Sequence, residues 1–242
     1  MYQSGQDPTA HVAGQHARAI VRRLSLRTLV ALGVLAVATA LLGRTFGLHD
    51  PRFIGAEIAL LIAIFTVMRF VLPLVDRHDR GAAGEEQVGG LLDGLREHGW
   101  CVIHDASIGS GNVDHILIGP AGAFTVETKS HPGPVRVSRV HGATLSQAQG
   151  QRAAIERATG LHVEPLLVYS RAWVDRPLAR RKGVRVLPMR MLERYLERSA
   201  TKLSPAQVRH AQARLANALR DHRAHNRRMR RSGAIARVSR AR

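Results

Sequence analysis

The sequence predicts an α/β fold, a mixed sheet flanked by helices, preceded by an N-terminal transmembrane helical hairpin. Three observations predict it. Two apolar runs fill residues 24–75. The pattern then becomes helix, antiparallel strands, helix and strand, the succession of a chain wound around a mixed sheet. Between two strand-like runs lies "GPAG", Gly119 to Gly122, a hairpin signal.

The first run follows a polar leader, residues 1–17, that the composition predicts to be disordered, and four arginines, Arg18, Arg22, Arg23 and Arg27. Leu24 to Gly43 is 20 residues, about 30 Å of helix at ~1.5 Å per residue, which matches a bilayer core. Arg27 would snorkel to the interface. The second run, Phe53 to Val75, carries Glu57 near one end and Arg69 near the other, and nine residues join the two. Ala38-Thr39-Ala40 resembles a signal-peptidase site, but the apolar run continues past it, which favours an anchor. Arg69, Arg77 and Arg80 flank the far end, while the connecting loop holds only Arg44 and Arg52 with Asp50. The positive-inside rule then places both termini and the following domain in the cytoplasm, on the cell membrane. Residues 1–23 are the basic cytoplasmic segment and 24–75 the two-helix anchor.

"DRHDRGAAGEE", from Asp76, reads as a polar linker into a domain over residues 81–200. A helix is expected from Glu85 to His98, then strands near Trp100–His104, Val113–Ile118, Ala123–Thr128 and Pro134–Val137. A helix near Ser146–Ala158 follows, then strands near Glu164–Tyr169 and Val184–Leu187. Helices at Met189–Arg198 and Pro205 to about Arg223 complete the domain and open the C-terminal region, 201–242. Ser204-Pro205 supplies an N-cap with Pro at N1. From Arg220 onward there are nine arginines and one acid, Asp221. Without aromatic interleaving, that tail offers salt-sensitive phosphate attraction rather than base stacking.

Composition narrows the partners. Lys plus Arg is 36 against 18 acids, a formal +18, which favours a polyanion: nucleic acid, a lipid bilayer with anionic surface, or both. A lone cysteine, Cys101, excludes an internal disulfide and metal sites built from several thiolates.

Charges fall inside the strand hairpin itself. Side chains alternate along a strand, so Thr125, Glu127 and Lys129 share one face and Phe124, Val126 and Thr128 the other. Closing the hairpin lays Asp114 alongside the Glu127 end. Two carboxylates so placed repel and lose hydration, and a divalent cation relieves both costs. Oxygen-only ligands select Mg²⁺ or Mn²⁺ over Zn²⁺. Lys129 beside such an ion could orient a water or stabilise phosphoryl charge. The competing reading is a plain salt bridge on a solvated edge. Of His104, His115 and His131, only His115 lies near this group. It faces away from Asp114 and reads as a packing or surface residue, with Trp100 and Cys101 as core.

"GAAGEEQVGGLL", "NVDHILIGPAGAFTVETK" and "PVRV" closely resemble the NERD (nuclease-related domain) family of the PD-(D/E)xK nuclease superfamily, over about Gly81 to Leu196. The resemblance implies a restriction-endonuclease-like fold, with Asp114 and Glu127 as metal carboxylates and Lys129 as catalytic lysine. Glu85 would be the helical acid, the Gly81–Gly84–Glu85 register favouring it over Glu86. Family members carry a glutamine in the helix after the sheet core. Here Gln147, Gln149 and Gln151 compete, Gln147 and Gln151 share a helical face, and Gln147 is taken as the site residue. The implied function is a membrane-anchored, Mg²⁺- or Mn²⁺-dependent nuclease acting on nucleic acid, DNA rather than RNA. The alternative is a non-catalytic nucleic-acid-binding or interaction module tethered to the membrane.

Overall fold

The computed structural model of the chain describes residues 13, 15–47, 49–109 and 111–239. It divides into two units, one spanning Gln15–Ala82 and the other beginning at Ala83. Residues 1–12 of the leader and 240–242 of the arginine-rich tail lie outside the described residues.

In the first unit, α1 (Gln15–Phe46) and α2 (Pro51–Thr66) form a helical pair, and a π-helical turn, Val67–Val71, leads into α3 (Leu72–Gly94). Asp50 caps α2 by accepting from Arg52 N at 2.7 Å, and Pro51 takes the position where no N–H is needed. Leu29, Val34, Leu41, Leu61 and Phe65 are about three-fifths exposed, and α2 buries no residue. The threonine hydroxyls on these helices are satisfied internally: Thr28, Thr39 and Thr66 donate to the carbonyls of Leu24, Leu35 and Ile62 at 2.8–2.9 Å. Two helices, Val21–Phe46 and one within Pro51–His98, are long and apolar enough to cross a membrane by length and composition.

The expected linker from Asp76 to Glu86 is helical instead. α3 runs through it and ends in a 3₁₀ turn, Leu95–His98. Glycine disfavours a helix by only ~1 kcal/mol. Here an Arg80–Asp76 pair at 2.7 Å and the burial of Val88, Leu92 and Leu95 outweigh that penalty.

The second unit continues with β1 (Cys101–Ile108), β2 (Gly111–Gly119), β3 (Gly122–Lys129), β4 (Gly133–Val135) and α4 (Gly142–Thr159). Then come β5 (Val163–Tyr169), β6 (Ala172–Val174), β7 (Arg180–Arg181), β8 (Val184–Pro188), α5 (Leu192–Glu197) and α6 (Pro205–Ser239). The main sheet has the order β1-β2-β3-β5-β8-β7. Pairs β1–β2, β2–β3 and β7–β8 are antiparallel, and β3–β5 and β5–β8 are parallel, so the sheet is mixed as predicted. Val88 and Leu92 of α3, with Leu192 and Leu196 of α5, pack on one face. Ala154 and Ile155 of α4, with Val208, Ala211, Leu215 and Leu219 of α6, pack on the other.

Two expectations change. The strand near Pro134 stays out of the main sheet and pairs with β6, a strand too short to be read from the sequence. Helix α6 runs to Ser239 rather than to about Arg223. Among the described side chains its last buried apolar residue is Leu219, and Ala and Arg, both good helix formers, recur beyond it.

Candidate active site

The β2–β3 ladder runs from Gly119↔Gly122 to His115↔Val126 and stops short of Asp114 and Glu127. The β1–β2 ladder likewise omits Asp105 and Asp114, between His104↔His115 and Ala106↔Val113. Asp105 has φ +52°, a left-handed conformation that aspartate tolerates better than most residues. The strand turns over there: Val102 belongs to the α3-side core, and Ala106 and Ile108 to the α4-side core. Asp114 fills the gap with its side chain, Oδ2 accepting from Thr128 N at 2.8 Å. A carboxylate thus stands where a ladder carbonyl would, which sets Asp114 beside Glu127.

Glu127 is 2 % exposed and fully engaged. Its Oε1 accepts from Lys129 Nζ at 2.6 Å and from Gln147 Nε2 at 2.9 Å, and its Oε2 accepts from Gln151 Nε2 at 2.6 Å. Both glutamines come from α4, one turn apart, so their shared face is real and its target is the Glu127 carboxylate. Gln149 points elsewhere and donates to Lys182 O. Gln151 Nε2 also reaches Asn112 O at 2.9 Å. Both of its partners are acceptors, which fixes the amide orientation and leaves Gln151 Oε1 buried without a partner. Thr125 Oγ1, on the same strand face, is also buried and unpartnered.

Glu85 is delivered by a close approach. A Cβ on Gly84 would sit 2.7 Å from Ser130 Cβ and 2.8 Å from Ser170 Oγ, so only glycine lets α3 lie this near the ends of β3 and β5. Burial, then the negative charges of Asp105 and Glu127, push the Glu85 carboxyl up to about 7, and Lys129 opposes them. Asp114 is held well above the ordinary carboxylate range by burial, Glu127 and Glu85, against the pull of the Thr128 N–H and Lys129. Negative charge therefore exceeds what one lysine balances.

The sequence reading missed Asp105, which joins this field and accepts from Asn112 Nδ2. Only the β1–β2 register, which sets Asp105 opposite Asp114, reveals it. His115 is fully buried, as a packing residue would be, and joins a hydrogen-bonded chain with His104. His104 Nε2 meets Asp93 Oδ1 at 3.1 Å, His104 Nδ1 meets His115 Nδ1 at 2.8 Å, and His115 Nε2 meets Thr128 Oγ1 at 3.4 Å. Because Asp93 accepts, His104 donates from Nε2, His115 donates from Nδ1, and the Thr128 hydroxyl closes the chain. Burial, with His104 beside it, drives His115 down to about 3, so it stays neutral. The chain braces Thr128, whose N–H holds Asp114. His131 packs edge-on against Tyr169. Among the described residues no group of three or more Asp, Glu, His and Cys side chains is arranged to hold a metal ion.

Residues 80–170 match the family model for NERD, the nuclease-related domain. No curated protein matches the chain. Among solved structures, a repair endonuclease from Pyrococcus abyssi aligns at 18 % identity over 51 % of this chain and 46 % of that one, with a TM-score of 0.28. Pyrococcus furiosus SfsA in complex with Ca²⁺ aligns at 15 % identity over 56 % and 52 %, with a TM-score of 0.25. The chain spans about half the length of each.

Proposed function

We propose that this protein is a membrane-anchored hydrolase of phosphodiester bonds in nucleic acid, DNA in preference to RNA, dependent on Mg²⁺ or Mn²⁺. The observation that carries the reading is the buried Glu127 carboxylate beside Asp114, with Lys129, Gln147 and Gln151 all aimed at it. The donor set fits a hard divalent ion, with Asp114 and Glu127 as its ligands. Burial, then the charges of Glu127 and Glu85, hold the Asp114 carboxyl above its usual range, and a cation would offset these costs. The unpartnered Gln151 Oε1 and Thr125 Oγ1 are acceptors suited to coordinated water. When bound, the ion would supply Lewis-acid polarisation of the phosphoryl oxygen and a lowered water pKa.

The chain's own residues divide the remaining work. Gln147 and Gln151 fix the Glu127 carboxylate. Lys129, only partly buried, presents its ammonium to a phosphoryl oxygen or to the attacking water. Glu85, with a pKa of about 7, is suited to accept a proton from that water at neutral pH.

The non-catalytic binding module is disfavoured by the same charges. A module that only holds phosphate gains nothing from Glu85, Asp105, Asp114 and Glu127 gathered about one lysine. The anchor reading rests on the exposed apolar surfaces of α1 and α2, more than water-facing helices carry, and the arginine flanks support a cytoplasmic side for both termini. The test is a nuclease assay on purified full-length protein in detergent, with DNA and RNA substrates, in EDTA and in added Mg²⁺ or Mn²⁺. Metal-dependent cleavage is expected. Nucleic-acid binding without cleavage in either metal supports the tethered module instead.

A further inference from the structure

Beside Lys129 opens a cleft of about 610 Å³, within the size range of ligand sites. Lys129, His131, Arg136, Arg139, His141 and Tyr169 line it, and no Asp or Glu does. Arg136 and Arg139 are exposed, and Arg136 shares the field of Asp175. The nearby acid, Asp175, spends its Oδ1 on the N–H groups of Val137 and Arg176. The first turn of α4 opens at the same place, adding the positive potential of its N-terminal N–H groups. The cleft is thus cationic, whereas the carboxylate site on the other side of Lys129 is anionic.

Pro134, on the cleft wall, pairs across β4–β6 with Trp173. Partner residues in a ladder share a face, and Trp173 is 55 % exposed. Among the described residues from Ala83 onward, the exposed large apolar side chains are Trp173 and Met229. An exposed indole one strand across from the wall of a phosphate-attracting cleft suits a single nucleic-acid strand, in which charge tracks the backbone and an aromatic face receives an unpaired base.

Building on the nuclease reading, we infer that this cleft and Trp173 form a strand-binding subsite for single-stranded nucleic acid on the Lys129 side of the site. Arg136 and Arg139 hold backbone phosphates there, and Trp173 stacks a base. The substrate segment leaving the site in this direction is then unpaired.

The test is tryptophan fluorescence of the full-length protein in detergent, in EDTA so that cleavage cannot intervene. Short oligo-deoxythymidine, oligo-uridine and a blunt duplex are the probes. Trp100, 7 % exposed, gives a constant background. Quenching by at least one single strand is expected, with weaker quenching by duplex. Trp173→Ala should abolish the quench and weaken binding about 5- to 150-fold, the loss of one stacked base, and Trp173→Phe should restore most of the affinity. Arg136→Ala with Arg139→Ala should make the log–log salt slope shallower by about 1.4, roughly 0.7 for each single-strand phosphate no longer neutralised. Equal quenching by duplex, no quenching by either single strand, or unchanged affinity in Trp173→Ala overturns the subsite and leaves the catalytic reading standing. Trp173-dependent quenching in a protein that never cleaves counts against the catalytic reading and for the subsite.

Discussion

Gly84 offers a test of how α3 delivers Glu85. An added Cβ would lie 2.7 Å from Ser130 Cβ, 2.8 Å from Ser170 Oγ and 3.6 Å from Ser130 Cα, where unstrained carbon contacts begin at about 3.5 Å. Relieving such an overlap costs about 1–3 kcal/mol, against a gain of about 0.5–1 kcal/mol for Ala over Gly within a helix. Gly90, exposed on the same helix with nothing within 4 Å of where a Cβ would stand, is the matched control. Gly90→Ala should therefore stabilise, and Gly84→Ala should sit about 1–3 kcal/mol below it, roughly 2–12 °C in melting temperature for a unit of this size. Because the helix must move, Glu85 shifts with it, and a displacement near 1 Å can cost up to about 10² in rate. Thermal unfolding and metal-dependent cleavage of the two variants decide the matter, with Ser130→Gly in the Gly84→Ala background expected to recover part of both losses. If Gly84→Ala and Gly90→Ala stabilise alike and cleave alike, the close approach does not position Glu85.

Three other outcomes follow from the charges and the helices. Glu85 has a folded pKa of about 7 against an ordinary 4.5, so its neutral form stabilises the fold at and below pH 4.5, and that contribution is lost as pH rises through 7. In metal-free protein the melting-temperature difference between wild type and Glu85→Gln should change across this window, and a pH-independent difference contradicts the assignment. Deleting Arg223 to Arg242 should flatten the salt dependence of nucleic-acid affinity while sparing cleavage at low salt, and an unchanged slope would assign the tail to another partner such as anionic lipid. The protein should remain in the membrane fraction with a C-terminal reporter active in the cytoplasm; recovery in the soluble fraction contradicts the anchor, and activity only outside the cytoplasm contradicts the topology.

Much of the site was legible because a hairpin obeys simple geometry. Alternation put Glu127 and Lys129 on one face, closure at Gly119 to Gly122 brought in Asp114, and helical spacing paired Gln147 with Gln151. The rest depended on register and packing. Asp105 falls just past the strand expected at Trp100–His104, and it joins the site only when β1 is laid on β2 and its left-handed backbone turns the strand over. The stretch from Asp76 to Glu86 is glycine-rich and charged, so local composition says linker, and only the burial of Val88 and Leu92 further along makes it helix. His104 and His115 lie far enough apart in sequence that their 2.8 Å contact follows from the ladder alone. β6 is three residues long, too short for any periodicity to show.

The proposed chemistry requires that Asp114 and Glu127 hold a cation while Lys129 acts on the phosphoryl group or the water. Divalent-ion affinity and cleavage rate, taken together in Asp114→Asn, Glu127→Gln and Lys129→Met, test this requirement at its source. The first two variants should lose both metal binding and cleavage while remaining folded. Lys129→Met should keep its metal and lose about 10² or more in rate, the scale of one electrostatic stabiliser. If instead all three bind metal and cleave as the wild type does, with stability shifted by about 1 kcal/mol or less, the constellation is a salt bridge and the proposed chemistry fails.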